Sequence, residues 1–314
     1  RQQPAGVCCA PFISVLVVVG GGGEMLCPMT SVAFRPPLSP LKSMLLSKLS
    51  SCYRAAVTSP PRLVALSRSS APLPHRTFST AASSAEPPAP AGAGTAAVEH
   101  VVLFKARDGA DPALVDAMVS HLRSLAALDG VLHLATAPVL RHRSSAAAAL
   151  GFTHLLHSRY LTKDDLAAYS AHPAHLSVVR ERVFPICDDL MAVDWVGELG
   201  SGPVAPRPGS VARVTLVKLK EAAGEAGKGE LLAALGEVRG SRPGAIEQFS
   251  YGENFSPERA KGYTVGSIAV LPKPEDLDGL GSEWGDLMEA QKERVRPLLD
   301  SVIVLDFLFP PSCL

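Results

Sequence analysis

The 314-residue chain carries 30 Lys plus Arg against 30 Asp plus Glu, so its formal charge is zero and no overall field favours nucleic acid, acidic polymers or an anionic membrane. Its length suits two domains that each bury a core. The cysteines at 8, 9, 27, 52, 187 and 313 form no CxxC pair and no zinc spacing, which points to a reducing compartment and away from secretion. Near the start, PFISVLVVVG is about half the length of a membrane-spanning helix and reads as leader, not anchor. The sequence opens on Arg1, and Met25, Met29 and Met44 are the candidate start residues. From Met25 to Ala85 there is no Asp or Glu, while Arg35, Lys42, Lys48, Arg54, Arg62, Arg68 and Arg76 punctuate a Ser, Ala, Leu and Pro background. That composition is of the transit-peptide kind and predicts a chloroplast or mitochondrial address, with EPPAPAGAG as a flexible spacer. Residues 1–98 are therefore assigned to leader, presequence and spacer. At the other end, 311–314 finish in Ser312-Cys313-Leu314, a relative of the peroxisomal Ser-Lys-Leu signal without its basic middle residue, so a peroxisome is the competing address.

Between these ends the chain repeats itself with an offset of 111 to 114 residues. HVVLFK at 100–105 matches RVTLVK at 213–218, GFTHLLHSRYLTKDDL at 151–166 matches GYTVGSIAVLPKPEDL at 262–277, and RERVFPICDDLMAVDW at 180–195 matches KERVRPLLDSVIVLDF at 292–307. We place a first domain at 99–197, a Gly/Pro linker at 198–210 and a second, degenerate domain at 211–310.

In the first copy, HVVLF reads as a strand. Asp111 caps a helix that starts at Pro112, with Leu114, Met118, Leu122 and Leu125 as its core stripe, and Gly130 stops it. VLHLATAPVL and FTHLLHSRYL give two strands, and Thr162 with Asp165 forms a capping box for a helix through Tyr169. After a break at HPAH comes another helix, and LMAVDWV is the last strand. The second copy offers the strands VARVTLVKL, IEQFSYG, GYTVGSIAVL and SVIVLDFLF, and the helix LLAALGEV. The order βαββααβ is an α+β, ferredoxin-like unit with helices on one face of an antiparallel sheet. The bare face of such a sheet needs a partner, and two tandem copies supply it to each other as an intramolecular α/β barrel.

The pattern HVVLFK, then GFTH, then Y-x-x-HPAH, then VDW resembles the stress-responsive dimeric A/B barrel (Dabb) family, over the first copy almost end to end and the second more weakly. The resemblance implies ferredoxin-like units that pair through their sheets, with a further homodimer as an option. It carries no cofactor and, in most members, no known chemistry. One class in the family, the olivetolic acid cyclases, is a cofactor-free polyketide cyclase. Similarity to it places a tyrosine and a histidine on Tyr169 and His175, and two strand histidines on His100 and His154.

Read for chemistry, Pro173 starts a new helix with His172 just before it, so His175 falls in the first turn, where the helix dipole disfavours an imidazolium. A neutral His175 suits a general base, and Tyr169 suits an oxyanion donor for an intramolecular aldol closure. His100, Val102, Phe104, His154 and Leu156, with His172, are the expected pocket. The plain readings stand beside these: His172 as a helix-end cap, His175 as a structural hydrogen-bonder, Tyr169 as core, and both strand histidines satisfied by neighbours. The proline in HPAH removes the helical register of an HExxH metal site, so no metal is expected. The Arg141–Arg143 cluster reads as a solvated loop and not an RNA surface. In the second copy Arg213 stands for His100 and Val265 for His154, and DGLGSEWGDL replaces AAYSAHPAH, so any reaction belongs to the first copy. The expectation is a stress-response A/B barrel protein that is non-enzymatic or binds a small hydrophobic ligand. The alternative is a cyclase-like enzyme using His175 and Tyr169.

Overall fold

The computed structural model describes residues 96–200, 202–240, 246–279 and 285–311. The presequence and the Ser312–Leu314 signal lie outside the described residues, as do Leu280 and Glu283, which align with Tyr169 and His172. Among the described residues no helix is long and apolar enough to cross a membrane.

The first copy runs β1 (Ala96–Ala106), α1 (Pro112–Ser124), β2 (Val131–His142), α2 (Ser145–Leu150), β3 (His154–Tyr160), α3 (Lys163–Ala171), α4 (Pro173–Val178) and β4 (Cys187–Glu198). The second runs β5 (Val211–Leu219), α5 (Gly224–Gly240), β6 (Gln248–Glu253), β7 (Val265–Leu271), α6 (Asp276–Gly279), α7 (Gly285–Val295) and β8 (Leu299–Leu308). Local chemistry sets the boundaries. The Asp111 carboxylate accepts from the Ala113 amide at 2.9 Å ahead of Pro112, and Thr162 and Asp165 form a complete capping box for α3. Such caps contribute roughly 1 kcal/mol each.

Two local expectations are corrected. Leu114 is 51% exposed, because α1 turns Val115, Met118, Val119 and Leu122 to the sheet, a stripe one residue further round the helix. Arg141 and His142, read as part of a solvated loop, end β2, and the alanine run just after Arg143 forms α2, with Ser144 as its cap and Gly151 closing it at φ 65°. An alanine run flanked by a serine and a glycine is a helix with both ends marked.

The strands form one eight-stranded sheet in the order β4-β1-β3-β2-β8-β5-β7-β6. β1 lies between β3 and β4, and β5 lies between β7 and β8, all antiparallel. The copies join where β2 pairs with β8, through Val139 with Phe307, Arg141 with Asp306 and His142 with Leu305. The matching seam brings β4 to β6 and nearly closes the barrel. There the Phe255 amide donates to the Asp194 carbonyl at 2.9 Å, and the Asp194 amide donates to Asn254 Oδ1 at 3.0 Å.

Alternation along each strand sends one set of side chains into the barrel and the other toward the helices. Inside, Leu103, Leu155 and Val193 of the first copy meet Leu216, Ile268 and Leu305 of the second in one continuous core. Each full burial of this kind is worth about 1.5–3 kcal/mol. Trp195 crosses the β4–β6 seam: its Nε1–H donates to Ser250 Oγ at 3.0 Å. A Cβ on Gly266 would lie 2.5 Å from its ring. Only glycine at this position of β7 lets the Trp195 ring of β4 come that close.

One end of the barrel is polar. Glu99 Oε2 accepts from His157 Nε2 at 2.6 Å and Arg159 Nε at 3.0 Å, with all three side chains fully buried. Burial pushes the Glu99 carboxyl up, but Arg159 and His157 overcome it and hold the group far below its usual range. Arg159 also donates to Gln248 Oε1 at 2.7 Å and to the Val204 carbonyl. Gln248 Nε2 donates to the Pro203 carbonyl at 2.6 Å, so the linker is tied to this end by side chains from both copies.

Candidate ligand-binding site

The helix-facing side of each half-sheet has the same frame and a different filling. In the first copy, His100 lies opposite Ser158 on β3 and Asp194 on β4. His100 Nδ1 and Asp194 Oδ1 are 2.5 Å apart, with the carboxylate fully buried. Arg259, from the second copy, reaches the other oxygen of the same carboxylate. Burial raises the Asp194 carboxyl, but His100 and Arg259 reverse the effect and bring it to about 2.

Above this pair the aromatic rings are packed. The Tyr160 and Tyr169 ring centroids are 5.3 Å apart, His100 stands edge-on to both at 6.3 and 6.4 Å, and Tyr169 lies 4.7 Å from His175. Both tyrosines are buried, and burial drives their phenols far above the ordinary value. His175 Nδ1–H donates to the Ser170 carbonyl at 3.0 Å, which leaves Nε2 with its lone pair. Desolvation, aided by His100, lowers its pKa to about 4, so the ring is neutral near pH 7.

The remaining expected pocket residues divide. Phe104 and Leu156 are buried in the cluster that contains Tyr160 and Tyr169, with Val102 packed against it. They fill the space under the helices. His154 lies opposite Phe104, with Nδ1 2.9 Å from Thr153 Oγ1, and borders a separate shallow cleft with Arg107 and Asp116. His172 lies outside the cluster: it is exposed, and its Nδ1 accepts from the Ala174 amide at 3.2 Å, capping α4. Among the described residues no group of three or more His, Cys, Asp or Glu is arranged to hold a metal ion.

Among the described residues, the second copy keeps the frame with smaller side chains in it. Arg213 takes the place of His100, opposite Ala269 and Asp306. Where the first copy sets Val102 against Leu156 and Phe104 against His154, the second sets Thr215 against Ser267 and Val217 against Val265. The smaller side chains leave a cavity of about 750 Å³ between the sheet and α5 and α7, walled by Leu231, Leu235, Val238, Phe249, Val295 and Leu299. That volume is in the usual range of small-molecule pockets.

Arg143, Arg213 and Asp278 give the cavity an ionic end, and Lys292 and Arg296 also line it. Arg213 grips Asp306 through Nε at 2.9 Å and Nη2 at 3.3 Å. Arg143, from the first copy, donates from Nε to Asp306 at 2.6 Å and from Nη2 to Asp278 at 2.6 Å. Arg141 Nη1 is 3.0 Å from both Asp278 oxygens. Arg143, expected in a solvated loop, thus lines the neighbouring copy's pocket, and Arg141 pairs with Asp278 beside it. Asp194, Arg259, Tyr160, Asp278 and Asp306 are not among the expected site residues, and the sequence reading places Arg141 and Arg143 in a loop. The available signal was an acid inside an otherwise apolar last strand, repeated as LMAVDW and VIVLDF.

Two α+β units that close one antiparallel sheet between them, helices outward, define a tandem dimeric A/B barrel. The chain belongs to the family described as the stress-responsive A/B barrel domain (Dabb), whose model matches residues 98–197 and 211–309. It is 45% identical over 240 residues to a stress-response A/B barrel domain-containing protein of Arabidopsis thaliana, covering 76% of this chain and 86% of that one. It is 40% identical over 216 residues to a second protein of that description from the same plant, covering 68% of this chain and 98% of that one. A solved structure from Fusobacterium nucleatum, described as a candidate monooxygenase, superposes with a TM-score of 0.50 at 10% identity, covering 69% of this chain and 94% of that one. At that identity the likeness concerns the fold alone.

Proposed function

We propose that this protein is a small-ligand-binding member of the family without catalysis of its own, and that its pocket is the helix–sheet cavity of the second copy. The observation that carries the reading is the contrast between the halves: the first copy fills the space with its own tyrosines, and the second leaves about 750 Å³ lined by apolar side chains. The test is saturable binding of the neutral apolar fluorophore N-phenyl-1-naphthylamine to the full chain. Saturation at a defined stoichiometry supports the reading; a signal that grows linearly with probe contradicts it.

The alternative reading is a cofactor-free cyclase, and the observation in its favour is the neutral His175 held beside Tyr169 with its Nε2 lone pair free of the Ser170 contact. In that reading Nε2 removes a proton from carbon and the Tyr169 hydroxyl donates to the developing oxyanion. Against it stands Tyr160, whose hydroxyl is bonded to that of Tyr169. Ring closure of linear poly-β-ketone thioesters, compared between wild type and His175→Ala, decides the point. Turnover above background that His175→Ala abolishes would establish the cyclase. A peroxisomal or plastid and mitochondrial address remains part of the proposal, tested by fluorescent fusions that mask either terminus.

A further inference from the structure

Resting on that reading, we propose that the ligand of the second-copy cavity is an amphipathic monocarboxylate, an apolar chain or ring system ending in one carboxylate, and that Asp278 occupies the head-group position until the ligand displaces it.

Three features lead there. Most of the cavity wall is apolar, Thr215, Ser267, Gln291, Lys292 and Arg296 aside, which selects an apolar body. Its ionic end is unbalanced, because the three guanidinium groups of Arg141, Arg143 and Arg213 face two carboxylates, Asp278 and Asp306, with Arg213 also donating to the Leu277 carbonyl. A planar guanidinium fork is matched to a carboxylate, which it can hold through two parallel hydrogen bonds.

The two carboxylates are not equivalent. Each accepts from two arginines, but Asp306 is fully buried on a central strand, so it is a fixed part of the frame. Asp278 has a side chain 58% exposed and sits on α6, a helix of four residues. It is the solvent-exposed member, and it occupies the face of Arg141 and Arg143 where a ligand's head group would go. An exposed ion pair of this kind contributes little stability, so exchanging it for a carboxylate whose apolar body fills the cavity is favourable overall. Arg143 belongs to the first copy, so the site is incomplete in an isolated second domain.

The test uses the full chain at neutral pH, with N-phenyl-1-naphthylamine as reporter and dodecanoate and dodecan-1-ol as competitors of equal chain length. Wild type is expected to take dodecanoate about tenfold or more tightly than the alcohol, the size expected of one charge-assisted pair. Arg143→Gln removes that preference and leaves alcohol competition unchanged. Asp278→Asn, which removes the resident charge, strengthens dodecanoate binding several-fold and leaves the alcohol unaffected. Should Arg143→Gln fail to fold, the Asp278→Asn result still decides. If the reporter binds but acid and alcohol compete equally, or Asp278→Asn weakens the acid, the carboxylate assignment is overturned while the pocket stands. If the reporter does not bind, the pocket itself is wrong.

Discussion

Arg259 and Arg143 are pseudo-symmetric mates: each lies in the connection between the second and third strands of its own copy and ion-pairs with the buried last-strand aspartate of the other, Arg259 with Asp194 and Arg143 with Asp306. The duplicated units are therefore joined on both sides by a charge that crosses the interface. Each crossing ends at the helix-facing side of the other copy's half of the sheet.

Arg259→Met is expected to leave Asp194 buried with His100 as its remaining ionic partner and to lower unfolding stability by about 1–3 kcal/mol, less than a fully buried pair because the arginine is partly solvated. Urea denaturation measures it. Asp194→Asn combined with Arg259→Met should cost less than the two single changes added together, since the second change removes the stranded charge. Strict additivity would show that the two side chains are not coupled.

Gly266→Ala places a methyl group within 2.5 Å of the Trp195 ring. The ring is fully buried and pinned by its bond to Ser250, so the strain is not relieved by rotation. A loss of about 1–3 kcal/mol is expected, with a shift in tryptophan fluorescence as the β4–β6 seam opens. An unchanged melting temperature would mean that the seam is looser than described.

Acid should weaken the fold from a window set by histidines. His133 falls to about 2, chiefly through burial, and His175 falls to about 4. Their folded values lie below the unfolded value of 6.5, so the unfolded chain binds more protons and stability declines as pH drops through 6.5. The His175 share of the decline is complete near pH 4 and the His133 share continues below it. Thermal melting across this range checks the slope, and His175→Gln should reduce it between pH 6.5 and 4.

The fold was readable because its signals are local and repeated. Asp111 before Pro112, the Thr162–Asp165 box and the β-branched runs mark element ends and types, and the 111–114 residue offset supplies the partner for each bare sheet face. The first-copy constellation was partly readable: Tyr169 and His175 are brought together, but His172 caps its helix in solvent and His154 borders another cleft. The cavity was not readable, because it arises from what is missing. Ser267 for Leu156 and Val217 for Phe104 are unremarkable substitutions until strand register sets them under the same helices. Arg141 and Arg143 likewise look like solvated loop residues until β2 pairs with β8 and points them at Asp278 and Asp306.

The central claim is that the second copy holds the pocket and the first copy is filled. Calorimetric titration of the full chain with N-phenyl-1-naphthylamine tests it, comparing wild type with His175→Ala and with the double change Ser267→Leu and Val217→Phe, which restores the first copy's side-chain bulk. One site per chain is predicted, retained in His175→Ala and lost in the double variant while its melting temperature holds or rises. Binding lost in His175→Ala and kept by the double variant would place the pocket in the first copy and contradict the account.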